Sequence, residues 1–365
     1  PELVETQTLA LETKRHDKLL RRPLICGSDA GLWQYSSTAD IILLDCSAIF
    51  TSVNLSQAAD RLRYQRRHMR AGKPAWSYVQ TQPSLALAAQ MQAVDATMRN
   101  RPVVDAEQIR LSAFFAIASG CRGLCFKSRA RLDLNDPVSR ARAQAIQRVN
   151  LELDIIRPWL AASTSYEQVA TNDPRLHATV LSTEQAALLM VLQATEQEQL
   201  VLQPAVESTV ALALPTDNPE AQPYRLTPTG LRTLAREQDQ VEIDRLQRVT
   251  LVVATKDPHV VHYVSHRISQ NADAILRLRA RLLDDKLQRT LTVANVASGI
   301  ELNRQSGHLV SAKSQLARLT RAIETRDLRA AGEFASRADA ALTHYHHAVW
   351  QESVLPFTSP SASPG

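Results

Sequence analysis

Val104-Asp105-Ala106-Glu107-Gln108-Ile109-Arg110-Leu111-Ser112-Ala113-Phe114-Phe115-Ala116-Ile117-Ala118-Ser119-Gly120-Cys121-Arg122-Gly123-Leu124-Cys125-Phe126-Lys127-Ser128 is the stretch whose reading decides the fold. Its first part is a helix. Asp105 offers a side-chain oxygen at the N-cap, Glu107 and Gln108 load the first turn, and Gly120 supplies the positive φ that stops a helix. Gly123 to Ser128 then reads as a short buried strand. A helix passing through one tight turn into an apolar strand is half of a βα repeat, the unit of parallel sheets.

The same alternation extends outward from about residue 21 to 163. Pro23-Leu24-Ile25-Cys26-Gly27 is a short apolar run closed by glycine. Asp40-Ile41-Ile42-Leu43-Leu44-Asp45 is apolar throughout and flanked by carboxylates, as expected of a strand covered on both faces. A helix from Leu55 to Ala71 stops at Gly72, and Pro74 to Pro83 supplies the next strand. After Ser128, a helix from about Ser139 carries Ile146, Val149, Leu153, Ile156 and Leu160 at spacings of three and four, one continuous stripe. Four strands with intervening helices match half of a (β/α)8 barrel. An open four-stranded sheet, as in a regulatory domain, is the competing architecture.

From roughly Tyr166 to Ser265 the period changes to two. Candidate strands are His177–Ser182, Ala186–Gln193, Gln199–Gln203, Thr209–Leu214, Gln222–Leu226, Gln240–Leu246, Val249–Thr255 and Val260–Val264. Turn residues separate them at Asp217-Asn218-Pro219, Thr227-Pro228-Thr229-Gly230 and Lys256-Asp257-Pro258. Short, evenly spaced strands predict an antiparallel β-sandwich. Beyond Ile268 the spacing is helical again. Leu309, Ala312, Leu316, Leu319 and Ile323 form one stripe, and Ala331, Ala335, Ala338, Leu342, Tyr345 and Val349 a second. Asp327 caps the second stripe. Together they predict an antiparallel helical hairpin, with an earlier helix over Ala272 to Leu291 able to complete a three-helix unit. The expected fold class is multi-domain, α/β plus all-β plus α. Residues 1–163 are the C-terminal half of a (β/α)8-like barrel, 164–266 the sandwich, 267–352 the helical hairpin or bundle, and 353–365 a Pro/Ser-rich linker.

At 365 residues and 44% hydrophobic content the chain can bury more than one core. Its 42 basic and 37 acidic residues leave a net charge of +5, spread along the chain. The densest basic segment runs from Arg61 to Lys73 with only Tyr64 interleaved, so it reads as a solvated helix face and no nucleic-acid partner is expected. The four cysteines, Cys26, Cys46, Cys121 and Cys125, lack a second pair or flanking histidines and read as core packing. No apolar run approaches the ~18 residues of a membrane span. Pro1 opens without a signal-peptide pattern and the chain closes on Pro/Ser-rich sequence. Further domains of the same polypeptide are expected on both sides, and localisation stays open, exported or cell-surface if such a chain carries a leader.

In a parallel barrel the chemistry sits at the carboxyl ends of the strands. The polar residues there are Ser28 and Asp29, then Asp45, then Gln80 and Gln82, then Lys127, Ser128 and Arg129, with Asp133 and Asp136 in the last loop. Glycoside hydrolysis needs two carboxyl groups, and Asp29 and Asp45 are the pair on offer. Their plainer roles are a turn beside Gly31 for Asp29 and a cap for Asp45. In His344-Tyr345-His346-His347 the side chains point in different directions on a helix, and no carboxylate lies a turn away, so no metal is expected. His259, His262 and His266 carry no ligand geometry either. Phosphate-binding glycine loops and the Gly-x-Ser-x-Gly elbow are missing, which leaves no support for a nucleotide cofactor or serine-hydrolase chemistry.

Glu107-Gln108-Ile109-Arg110, followed by Ala116 to Phe126 with Gly120 and Gly123, resembles the last helix and strand of glycoside-hydrolase TIM barrels, notably clan-A beta-galactosidases of the GH42 type. The order barrel end, Asn150 to Leu160 helix, sandwich and hairpin, and the segment Trp76 to Pro83, are similar to a group of large uncharacterised bacterial proteins. That resemblance implies a carbohydrate-active, glycoside-hydrolase-like protein that binds or hydrolyses glycans at the strand ends. Its clan places a nucleophilic glutamate where this chain has Val79-Gln80-Thr81-Gln82. An amide can bind a hydroxyl but cannot act as nucleophile or base. The chain therefore either lacks the catalytic pair or uses Asp45 or Asp29 as its catalytic residues. Gln80, Gln82, Trp33, Lys127 and Arg129 are the substrate-binding candidates, and Trp76 reads as core. The alternative is a non-catalytic scaffold or surface-interaction module.

Overall fold

The computed structural model describes residues 3–17, 22–45, 47–94, 102–206, 209–213, 220–237, 240–244, 246–296 and 306–353. Cys46, the end of the expected strand at Leu214, the turn Asp217-Asn218-Pro219 and nearly all of the expected linker lie outside them.

After a first helix, α1 (Leu3–His16), four strands follow: β1 (Ile25–Gly27), β2 (Ile41–Leu44), β3 (Ala75–Gln80) and β4 (Gly123–Lys127). All are parallel and lie in the order β1-β2-β3-β4. The order never reverses, so each crossover advances the sheet in one direction, as in the arc of a barrel. The connections carry α2 (Leu32–Thr38), α3 (Leu55–Arg67), α4 (Leu85–Val94) and α5 (Ala106–Ala118), and α6 (Pro137–Ile155) and α7 (Arg157–Ala162) follow β4. Local chemistry fixes the helix starts. Asn54 and Asp105 each form a capping box, with Gln57 and Gln108 respectively, and Asp136 accepts from the Ser139 amide at 2.9 Å.

Ile42, Leu44 and Ala75 pack with Leu62 of α3 and Ala116 of α5. By strand alternation the opposite face carries Ile25, Leu43, Trp76, Tyr78 and Cys125. Trp76, Tyr78 and Cys125 are only half-buried, and Ile25 is 43% exposed. The Trp76 ring lies against Gly123, where an added Cβ would come within 2.5 Å of it. Glycine at the head of β4 therefore lets two strands carry the indole between them.

The β-rich part forms two antiparallel sheets. The larger has the order β10-β9-β13-β7-β6-β5, where β5 is Ser165–Val169, β6 Leu176–Ser182, β7 Ala186–Gln193, β9 Gln222–Thr227, β10 Gly230–Thr233 and β13 Val249–Thr255. The smaller has the order β11-β12-β8, from Arg236–Glu237, Gln240–Ile243 and Val210–Ala213. Leu189, Val191 and Val252 of the large sheet share a core with Val210, Leu212, Val241 and Ile243 of the small one. The other face of the large sheet, through Leu188, Met190 and Val253, packs with Phe114 and Phe115 of α5. β13 is therefore buried along its whole length and β7 at all but one position, which explains their unbroken apolar runs.

Two expected strands are corrected. Gln199–Gln203 is turn and irregular chain, part of it anchored where the Phe50 amide donates to the Gln199 carbonyl. Val260–Val264 belongs to α8 (Pro258–Val296), a helix of 39 residues whose first turn is held by Asp257 accepting from the His259 amide at 2.8 Å. Short apolar runs fit either period, and here the helical one continues through Val264, Ile268 and Ile275. α9 (Ser306–Glu324) and α10 (Leu328–Ser353) form the expected hairpin and share a core with α8. Arg326 adopts φ 59° in the turn, and Asp327 caps α10 by accepting from the Ala330 amide at 3.0 Å.

Candidate functional site

At the carboxyl ends of β2 and β4, Asp45 meets Lys127 at 2.7 Å and accepts from the Ser47 hydroxyl at 2.7 Å and its amide at 3.2 Å. Burial pushes the Asp45 carboxyl up, but Lys127 and Ser47 together outweigh it and hold the group below its ordinary value. Asp45 is thus ionised at neutral pH and has no proton to give. The Lys127 ammonium also sits 5.1 Å from the centre of the Tyr78 ring, a cation–π contact at the mouth of the half-buried sheet face.

The amides after β3 work on the loops. Gln80, 5% exposed, accepts from the Ile49 amide at 3.1 Å and donates to the carbonyls of Ile49 and Gln82 at 3.2 and 3.0 Å. It is an anchor for the loop after β2, with both ends of its amide engaged. Gln82 accepts from the amides of Arg129 and Ala130 at 2.7 and 3.1 Å, and Arg129 donates to the Pro83 carbonyl at 2.7 Å. The Thr81 hydroxyl completes the seam by donating to the Lys127 carbonyl at 2.7 Å.

The remaining candidates have other neighbours. Asp29 is exposed and faces α3, with Arg61 at 3.8 Å and the Gln65 amide at 3.5 Å, while Asp45 faces Lys127. Among the described residues the two carboxylates share no partner. Trp33, 57% exposed on α2, lies under the Arg70 guanidinium. Ser28 and Ser128 close turns onto Ala30 and Ala130, Asp133 pairs with Arg131, and Asp136 caps α6. In the histidine tract, His344 stacks on His308 and His346 bonds Thr290 at 2.8 Å. No metal-ligating cluster occurs among the described residues.

A cavity of about 480 Å³ opens between the Gln82 and Arg129 loops, the first turns of α5 and α6, and the flanks of α8 and α10. Its inner wall is a network of buried charges. Glu107 pairs with Arg148 and, at 3.3 Å, with Arg110, and Glu152 meets the same arginines at 2.5 and 2.9 Å. Lys286 reaches Asp105 at 2.9 Å and Asp339 at 4.0 Å, and Asp339 holds Arg248 at 2.6 Å. Burial opposes ionisation of Glu107, but the surrounding arginines keep its carboxyl well below the ordinary range. Sequence reasoning missed this network. The only local signal was a charged residue set inside an apolar pattern, as Arg148 is beside Val149 and Lys286 beside Leu287.

No protein-family profile matches the chain, and none of the curated proteins matches it. Among solved structures, it is similar to an Anoxybacillus alpha-amylase, with a TM-score of 0.45 and 11% identity over 70% of this chain and 57% of the amylase. An alpha-amylase from Geobacillus thermoleovorans gives 0.44 and 12%, over 70% and 58%. A GH30 endoxylanase from Clostridium papyrosolvens C71 gives 0.36 and 10%, over 68% and 60%. The chain thus spans less than two thirds of the length of these glycoside hydrolases.

Proposed function

We propose that this chain is the barrel end, sandwich and helical part of a glycoside-hydrolase-like protein, and that it binds glycans at the strand ends without hydrolysing them. The observation that carries the reading is the cavity of about 480 Å³ between the β3 and β4 loops. It lies within the usual size range of small-molecule sites, and Gln82 and Arg129 at its rim are already fixed, Gln82 by the Arg129 amide and Arg129 by the Pro83 carbonyl. Residues held this way bind a polyhydroxylated ligand with little loss of side-chain freedom. The one-way strand order and the half-buried aromatic inner face support a segment of a closed barrel. The Lys127-bound Asp45 supports binding over turnover, because retaining and inverting glycosidases alike need one protonated carboxyl.

Isothermal titration against neutral and acidic oligosaccharides, with a parallel assay on chromogenic glycosides, tests this. At least one glycan class binds in the micromolar to millimolar range, Arg129→Ala weakens it about tenfold, and no glycoside turns over. Hydrolysis abolished by Asp45→Asn replaces binding with catalysis. If no glycan binds at millimolar concentration, the scaffold alternative takes over.

A further inference from the structure

A second cavity, of about 750 Å³, lies where α5 and α6, the β9–β10 hairpin of the sandwich, and α8 with α10 meet. Eight arginines and three carboxylates line it. Most of the arginines have counter-ions within the protein. Arg110 and Arg148 share Glu107 and Glu152, Arg248 pairs with Asp339, and Arg337 with Glu333 at 3.4 Å. Arg225 and Arg232 both reach Asp244, at 3.7 and 3.5 Å. Even with Glu152 and Asp244 counted from just outside the wall, and Arg225 left aside, five carboxylates among the described residues face seven guanidinium groups.

The excess centres on Arg279. This residue of α8 is 9% exposed and lines the large cavity, the cavity at the strand ends and a third, small one. Among the described residues no carboxylate lies within ion-pair distance of it, and its guanidinium donates only at a long 3.5 Å, to the Ser336 hydroxyl. Burial and then nearby Arg148 push Arg279 down to about 10, against the more distant charges of Glu107 and Asp339. A buried cation without a counter-ion is unfavourable, whereas one completed by a ligand is not. The guanidinium fork suits planar carboxylates and phosphates, which it can bind through two parallel hydrogen bonds. Arg232, Arg329 and Arg337, on β10 and α10, stand where a larger ligand would leave the cavity.

We propose that this cavity binds a small oligoanionic molecule, through one oxyanion group seated on Arg279 and further negative charge against the arginines of β10 and α10. The ligand chemistry is the oxyanion, phosphate or carboxylate. This inference does not rest on the glycan reading.

The test uses the whole chain, in thermal unfolding and calorimetric titration with inorganic phosphate and with citrate, at ionic strength held constant with chloride. The expected result is a saturable rise in Tm with at least one probe. A response to phosphate alone assigns a phosphorylated ligand, and a response to citrate alone a polycarboxylate. Arg279→Met removes the saturable response, weakens binding at least tenfold, and raises the Tm of the ligand-free protein, because an uncompensated charge has gone. No saturable response above the chloride control, or one that survives Arg279→Met, overturns the proposal. Should that variant fail to fold, Arg329→Ala, an exposed substitution, decides: several-fold weaker binding supports the site and unchanged binding rejects it.

Discussion

Lys286 on α8 and Asp105 at the head of α5 meet at 2.9 Å, with the carboxylate also accepting from the Glu107 amide at 2.8 Å. One side chain therefore caps the helix that lies over the parallel sheet and anchors the helical bundle to it. Burial raises the Asp105 carboxyl, but Lys286 outweighs it and the net shift is downward. A carboxyl lowered in the folded state contributes stability above its unfolded pKa and loses it as pH falls through the folded value. Lys286→Met leaves the half-buried Asp105 carboxylate without its cation and costs on the order of 2–3 kcal/mol, below the range of a fully buried pair. Adding Asp105→Asn to that variant restores part of the loss, since the cap survives and no charge is stranded. Urea unfolding of the two single variants and the double variant checks this, and additive losses would refute the coupling.

Glu198 behaves in the opposite sense. It is fully buried, accepting from the Gln193 amide at 2.7 Å and the Gln203 backbone at 3.2 Å. Burial pushes its carboxyl up to about 7, with Arg248 opposing. The folded chain then holds a proton that the unfolded chain releases, so this residue makes stability fall as pH rises between the ordinary carboxylate range and about 7. Glu198→Gln, which imitates the protonated form, removes that slope and raises stability at pH 8 by on the order of 2–4 kcal/mol. Chemical denaturation across pH 5–8 measures it, and parallel curves for the two proteins would count against a raised pKa.

Elements with local signals were legible in the sequence, and those held by distant partners were not. Asp105 and Gly120 bracket α5 by cap and positive φ, and both act as read. The bounds of β7 and β13 follow from apolar runs alone. The start of α8 was misread because Val260 to Val264 is too short to separate a period of two from one of 3.6. At the strand ends nothing local tells an amide facing ligand from one bonded to a loop carbonyl, as Gln80 is to Ile49. Asp45 and Lys127 stand 82 residues apart. The ion network draws Glu107, Arg148, Arg248, Lys286 and Asp339 from different elements, and no sequence spacing links them.

His346 is half-buried on α10 and bonded to Thr290 at 2.8 Å. Burial, then Lys286 and Arg289, lower it to about 4, against the opposing charges of Asp105 and Asp339. A histidine lowered in the folded state is protonated first in the unfolded chain, so its contribution is present above pH 6.5 and is lost as pH falls toward 4. NMR titration finds the His346 ring neutral at pH 5.5. A midpoint for His346 near 6.5 contradicts the burial argument.

Gly120 ends α5 with φ at +85°, and a Cβ there would fall 1.7 Å from Arg66 Nη1. That guanidinium donates to the Ser119 carbonyl at 2.8 Å and lies over the Tyr166 ring, tying α3 to the end of α5 and to the first strand of the sandwich. Gly120→Ala therefore carries two separable penalties, a left-handed backbone and a displaced guanidinium, each on the order of 1–2 kcal/mol. Arg66→Ala removes the second penalty only. In the Arg66→Ala background, Gly120→Ala is expected to cost about half what it costs in the parent, because the backbone strain stays. Thermal unfolding of the four proteins in this cycle gives the answer. An equal cost in both backgrounds means the Arg66 side chain simply moves aside, and a cost that vanishes means the left-handed φ carries no strain.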